Sequence, residues 1–174
     1  MKPPSSLAML AIAVAALAGC ATPVAPTGRA EIRPASGSKV AGVALFTQTG
    51  YGVRVFARVS GLAAGEHGFH VHEVGDCSAP DASSARGHFN PAGMPHGHVM
   101  ARHHAGDMPN LRAEADGNVE YTEFVEGMIL TGHPHAVAGR AVVVHADADD
   151  YISQPAGNSG KRVGCGVIVL EAAK

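Results

Sequence analysis

The chain has 174 residues, with 13 Lys and Arg against 15 Asp and Glu and a formal net charge of −2. It therefore lacks the basic excess that nucleic acid would select, and it is long enough for a targeting segment plus one modest core. Aromatics make up 5%, Trp is absent and Gly contributes 22 residues, a balance that favours short strands and many turns over a helical bundle.

At the N-terminus, Lys2 precedes a short apolar stretch from Leu7 to Leu17 that ends in Leu17-Ala18-Gly19-Cys20. The pattern predicts a secretory signal over 1–19 with a small-residue processing site, too short to span a membrane. Because the site ends in cysteine, it resembles a bacterial lipoprotein box. That implies an acylated Cys20, a lipid anchor and a place on the periplasmic side of a bacterial membrane. Ala21 is not the Asp that favours inner-membrane retention, so the outer membrane is expected. From Ala21 to about Ser38, Pro23, Pro26, Pro34 and Gly28 stand among small and polar residues, which predicts a flexible tether over 20–38. Three cysteines in an exported protein leave one unpaired unless Cys20 carries lipid; Cys77 and Cys165 then remain as a disulfide pair. Such a bridge, closing a loop of about ninety residues, would stabilise the fold by roughly 4 to 5 kcal/mol.

The domain is expected over 39–174. Val43 and Leu45, then Val53, Val55, Ala57 and Val59 with Arg54, Phe56 and Arg58 between, predict a hairpin around Gly50-Tyr51-Gly52 with one face buried. Further strands are expected over Gly68–Glu73, Leu111–Ala115, Val119–Phe124, Ala141–His145 and Val163–Leu170, with a tight turn at Asp116-Gly117-Asn118. Val74 to Asn110 has no strand signal, and a loop of that length belongs to function.

All eleven histidines fall between His67 and His145. His70 and His72, two apart on a strand, point to one face and can reach one metal while Val71 packs behind. Val142-Val143-Val144-His145 offers a third strand-borne imidazole. The loop adds His88, His96 and His104, with Asp107 three residues on, a plausible closed tetrahedral zinc set. On spacing alone His98 and His103 compete with their neighbours.

Gly68-Phe69-His70-Val71-His72-Glu73, Gly87-His88-Phe89-Asn90-Pro91, His104-Ala105-Gly106-Asp107, Val143-Val144-His145 and the run from Gly157 to Ile168 together resemble the copper/zinc superoxide dismutase family over about residues 40 to 172. The resemblance implies an eight-stranded Greek-key β-barrel, for which the family is itself a known example among sandwich-like architectures. It assigns copper to His70, His72, His88 and His145, and zinc to His88, His96, His104 and Asp107, with His88 bridging the two. It also implies a carboxylate at Asp149 that orients His70 and His96, a Cys77–Cys165 bridge, and an anion-guiding Arg162 beside the copper. His98 and His103 become spares, and His133 and His135 receive no role. The activity implied is dismutation of superoxide, with His88 moving a proton; the rival reading is a copper and zinc buffer on the same fold without turnover. Monomer and homodimer both fit the resemblance. The stretch Asp81 to Ala85 departs from the eukaryotic pattern.

Overall fold

The structure, a computed structural model, describes residues 25–172; the expected signal segment and Cys20 lie outside them. Its strands are β1 (Thr27–Pro34), β2 (Ala41–Gln48), β3 (Gly52–Ser60), β4 (Gly65–His67), β5 (Phe69–His72), β6 (Leu111–Ala113), β7 (Val119–Glu126), β8 (Ala141–His145), β9 (Arg162–Val167) and β10 (Val169–Leu170). A single 3-10 turn at Ser83–Ala85 is the only helical element among the described residues. Gly68 separates β4 from β5 and Ile168 separates β9 from β10, so as continuous runs the ten segments form eight strands.

Hydrogen-bonded neighbours follow the order β5-β8-β9-β1-β2-β3-β7, with β10 on β1 and β6 on β4. β6 and β7 are joined through Asp116-Gly117-Asn118, where the Glu114 N–H donates to the Asn118 carbonyl at 3.0 Å. That hairpin returns the β4–β5 run to β7 and closes the barrel. The links β3 to β4 and β7 to β8 each pass between strands that are not neighbours, which gives the Greek-key crossings. Inside lie Phe46, Val53, Val55, Phe69, Val71, Leu111, Leu130 and Ile168, all essentially without solvent exposure.

β3 follows its sequence pattern, with Val53, Val55, Ala57 and Val59 buried. Its partner β2 does not. Ala44 and Phe46 face the core, while Val43 and Leu45 are only half-buried on the outer face. Ala44 and Phe46 lie opposite Ala57 and Val55 on the buried face of β3, and a one-residue choice of face decides the whole strand.

The expected tether over 20–38 is corrected by β1. Gly28, Ala30 and Ile32 point inward with Arg29, Glu31 and Arg33 outward. β1 pairs with β2 from Thr27↔Thr47 to Ile32↔Gly42, and with β9 at Arg33↔Cys165. The inward residues are mostly small, so the alternation carries little hydrophobic contrast; partners on both sides, rather than intrinsic propensity, make this a strand. The barrel therefore begins at Thr27, not at residue 39. β4, at Gly65–His67, was also missing from the expected strands.

Candidate metal centre

β5 is buried on both faces, with His70 at 0% and His72 at 1% exposure. β8 runs antiparallel beside it and ends at His145, where the register to β9 slips and His145 faces Arg162. A bulge of this kind re-aims a side chain at a strand end.

The long segment between β5 and β6 is drawn back onto β5 by a ring of three backbone hydrogen bonds. Val71 donates to the Gly106 carbonyl (2.8 Å), Gly106 to the Phe89 carbonyl (2.9 Å) and Phe89 to the Val71 carbonyl (2.9 Å). Each member is next in sequence to a residue of the centre, so the ring fixes His70, His72, His88 and Asp107 at once. A Cβ at position 106 would strike the Val71 carbonyl, which is why a glycine stands there.

Two sets of donors result. His70, His72, His88 and His145 place ligand atoms within 4.8 Å of one another, and His88, His96, His104 and Asp107 do the same. His88 belongs to both. Every residue that the sequence offered for these sets is thus brought together. His98 and His103 belong to neither: His98 packs edge-on against Tyr151 at 4.7 Å, and His103 Nδ1 lies 2.6 Å from the His104 carbonyl. His133 and His135 sit on the β7–β8 connection with rings 5.1 Å apart, also outside both sets.

The hydrogen bonds select the tautomers. Asp149 accepts from His70 Nε2–H through Oδ2 (2.8 Å) and from His96 Nε2–H through Oδ1 (2.9 Å). His72 Nδ1–H donates to the Arg86 carbonyl (2.8 Å). An acceptor on one ring nitrogen leaves a lone pair on the other. Those lone pairs face into the two sets, and His70 Nδ1, His88 Nε2, His96 Nδ1 and His104 Nδ1 are buried without a hydrogen-bond partner. His72 Nε2 and His145 Nε2 stand 3.3 Å apart. Buried imidazole nitrogens left unpaired and crowded in this way are costly unless a cation lies among them, so the donors fit metals.

Burial, with neighbouring imidazoles, pushes His72 and His145 well below the usual histidine range. Burial also lowers His88 to about 4, against the opposing Asp107. His96 goes the other way, to about 9, because Asp107 and Asp149 together outweigh its burial. Burial alone would raise Asp107, but the close His104, His88 and His96 rings and the donating His104 N–H hold it well below the carboxylate range. Asp149 is lowered likewise, burial being overcome by His70 and His96. At neutral pH His72, His88 and His145 are thus neutral imidazoles, and Asp107 is a carboxylate.

Arg162 stands at the rim. Its Nη1 donates to the Ala82 carbonyl (2.7 Å) and its Nη2 to the Arg86 carbonyl, the oxygen that also receives His72. The segment supplying these carbonyls is pinned to β9 by the Cys77–Cys165 disulfide, whose Cα atoms lie 5.8 Å apart. The departing stretch Asp81 to Ala85 forms the 3-10 turn that aims the Ala82 and Arg86 carbonyls.

Sequence reasoning missed the backbone of Arg86 and the side chains of Asn110 and Gln154. Asn110 donates through Nδ2 to the Asp149 carbonyl (3.0 Å) and accepts from the Asp149 N–H (2.9 Å). Gln154 treats His96 in the same way, at 2.9 and 2.8 Å. A loop carbonyl or amide carries no signature in sequence.

A Greek-key barrel with two fused pockets, one of four imidazoles and one of three imidazoles and a carboxylate, defines a binuclear metalloprotein built for borderline metals such as copper and zinc. Residues 40–168 match the model of the family described as copper/zinc superoxide dismutase (SODC). A protein from Deinococcus radiodurans named superoxide dismutase [Cu-Zn] is 43% identical over 87% of this chain and 88% of its own length. A second of that name from Aquifex aeolicus is 41% identical over 80% of this chain and 85% of its own. The crystal structure of a double mutant of a SOD-like protein from Bacillus subtilis superposes with a TM-score of 0.73 at 36% identity, covering 81% of this chain and 96% of that one. The chain belongs to the copper/zinc superoxide dismutase family.

Proposed function

We infer that the chain dismutes superoxide, two superoxide ions and two protons giving one dioxygen and one hydrogen peroxide. His70, His72, His88 and His145 would hold copper, and His88, His96, His104 and Asp107 would hold zinc. The observation that carries this reading is His88: its Nδ1 faces Asp107 at 2.9 Å within the zinc set, while its Nε2 is buried and unpartnered beside the copper set. When bound, copper supplies one-electron redox chemistry and zinc a fixed positive charge without redox chemistry of its own.

The protein's own groups do the rest. His88 Nε2 is the ring atom at which a proton can be held and released, since no protein acceptor competes for it. Asp149, by accepting from both Nε2–H groups, leaves His70 Nδ1 and His96 Nδ1 to face the donor sets that would hold the metals. Arg162 keeps its charge at any working pH and attracts the anionic substrate. Replacing Arg162 by Ala should lower kcat/KM roughly tenfold, the low end of the range for electrostatic steering, and flatten its dependence on ionic strength while both metals remain bound. Stopped-flow superoxide decay at several salt concentrations checks this; unchanged rate and salt slope would remove the steering role.

We further propose that Cys20 is acylated and holds the barrel on the periplasmic side of a bacterial membrane. Two observations support this: the Leu17-Ala18-Gly19-Cys20 pattern, and the Cys77–Cys165 disulfide, which fits an oxidising compartment and uses the other two cysteines. With β1 starting at Thr27, only residues 21–26 would intervene, a reach of about 20 Å. Mass spectrometry of the mature N-terminal peptide should find a lipid-modified Cys20; an unmodified cysteine there, or a mature chain beginning elsewhere, would contradict the anchor.

A further inference from the structure

Three side-chain amides around the metal centre share one unusual geometry: each pairs with both the N–H and the carbonyl of a single distant or turn residue. Asn90 grips Met94 (2.9 and 2.8 Å), Asn110 grips Asp149 (2.9 and 3.0 Å) and Gln154 grips His96 (2.8 and 2.9 Å). A primary amide presents a donor and an acceptor side by side, so it docks on a peptide as a neighbouring β-strand would. The Gln154 pair stands apart from the others because it spans 58 residues and lands on a member of the zinc set.

We propose that Gln154 is a positioning residue for zinc: it clamps the His96 backbone and so holds the aim of that one ligand through a direct contact. This rests on the assignment of His96 to zinc. His96 lies in a stretch without strand or helix, and neither of its own backbone groups is bonded to another part of the main chain among the described residues. Its imidazole is held by Asp149 from the same loop that carries Gln154. Ring and backbone of one ligand are therefore both fixed by one loop. Gly157, at φ +63°, lets that loop pass so close that a Cβ would strike the Asp149 carboxylate and His96 Nε2. With the clamp gone, the ring keeps its Asp149 bond but the backbone that aims it is free to rotate. The ligand is then offered to the metal in more than one orientation.

Three variants of the purified full chain test this: Gln154→Ala, which removes both bonds, Gln154→Glu, which keeps the acceptor but turns an oxygen on the His96 carbonyl, and Asp150→Ala. Asp150 serves as control because it caps the same loop through Ile152, Ser153 and Asn158 without touching His96. The readouts are zinc affinity by chelator competition and the visible spectrum of cobalt(II) in the zinc set, whose bands report tetrahedral geometry. Both Gln154 variants should bind zinc about tenfold more weakly, the scale seen for partners that orient a ligand, and should show altered cobalt bands. Asp150→Ala should leave the bands in place. Unchanged affinity and spectrum in the Gln154 variants would overturn the clamp, as would an equal change in Asp150→Ala. A native chain that takes up no tetrahedral cobalt would overturn the zinc assignment and the clamp with it.

Discussion

Replacing His88 by Ala should abolish turnover, lowering it roughly a thousandfold or more, the scale for deleting one member of a unit whose parts act together. His88 is the only residue common to the two donor sets. Its loss leaves three imidazoles in one and two imidazoles with Asp107 in the other. It also removes one of the hydrogen bonds that hold Asp107 ionised, together with the buried, unpartnered Nε2. Copper and zinc content, the copper electron-spin spectrum and superoxide decay, taken on one sample, should all change together. A variant with native metal geometry and native rate would mean that the two sets are not joined through His88. An intact fold is expected, since the backbone ring at Val71, Phe89 and Gly106 does not use the imidazole.

The second large effect is on stability. Removing the Cys77–Cys165 bridge by changing both residues to Ser should cost about 4 to 5 kcal/mol for a loop of this length, read as a fall of the thermal midpoint by roughly 10 to 20 °C for a domain of this size. Activity should fall as well, for a local reason. Cys77 anchors the segment whose Ala82 and Arg86 carbonyls hold Arg162 and His72, so those two side chains lose their common support. A loss under about 3 °C with unchanged kcat/KM would show that the hydrogen bonds, not the bridge, fix that segment.

How far the sequence could be read depended on how strongly each feature marks its residues. The donor sets were legible because imidazole is rare, because His70 and His72 take the period of a strand, and because the flanking motifs come in the family's order. β3 was legible from its contrast of valines with arginines. β1 was not, since Gly28, Ala30 and Ile32 offer too little contrast against three prolines nearby; only pairing with β2 and β9 reveals it. A chain cut at Ser38, where the tether was expected to end, would lose a strand with neighbours on both sides. β2 misled for a related reason, as Val43 and Leu45 are more hydrophobic than Ala44, but pairing with the buried face of β3 decides the face. Gln154 and Asn110 were invisible because their function lies in meeting a peptide 58 and 39 residues away.

The most direct test is superoxide consumption by the purified protein loaded with copper and zinc, with both metals counted on the same sample. The account predicts fast turnover at about one copper and one zinc per chain, falling with added salt. Full loading of both sets without turnover would contradict it and leave a metal-binding protein on a dismutase fold.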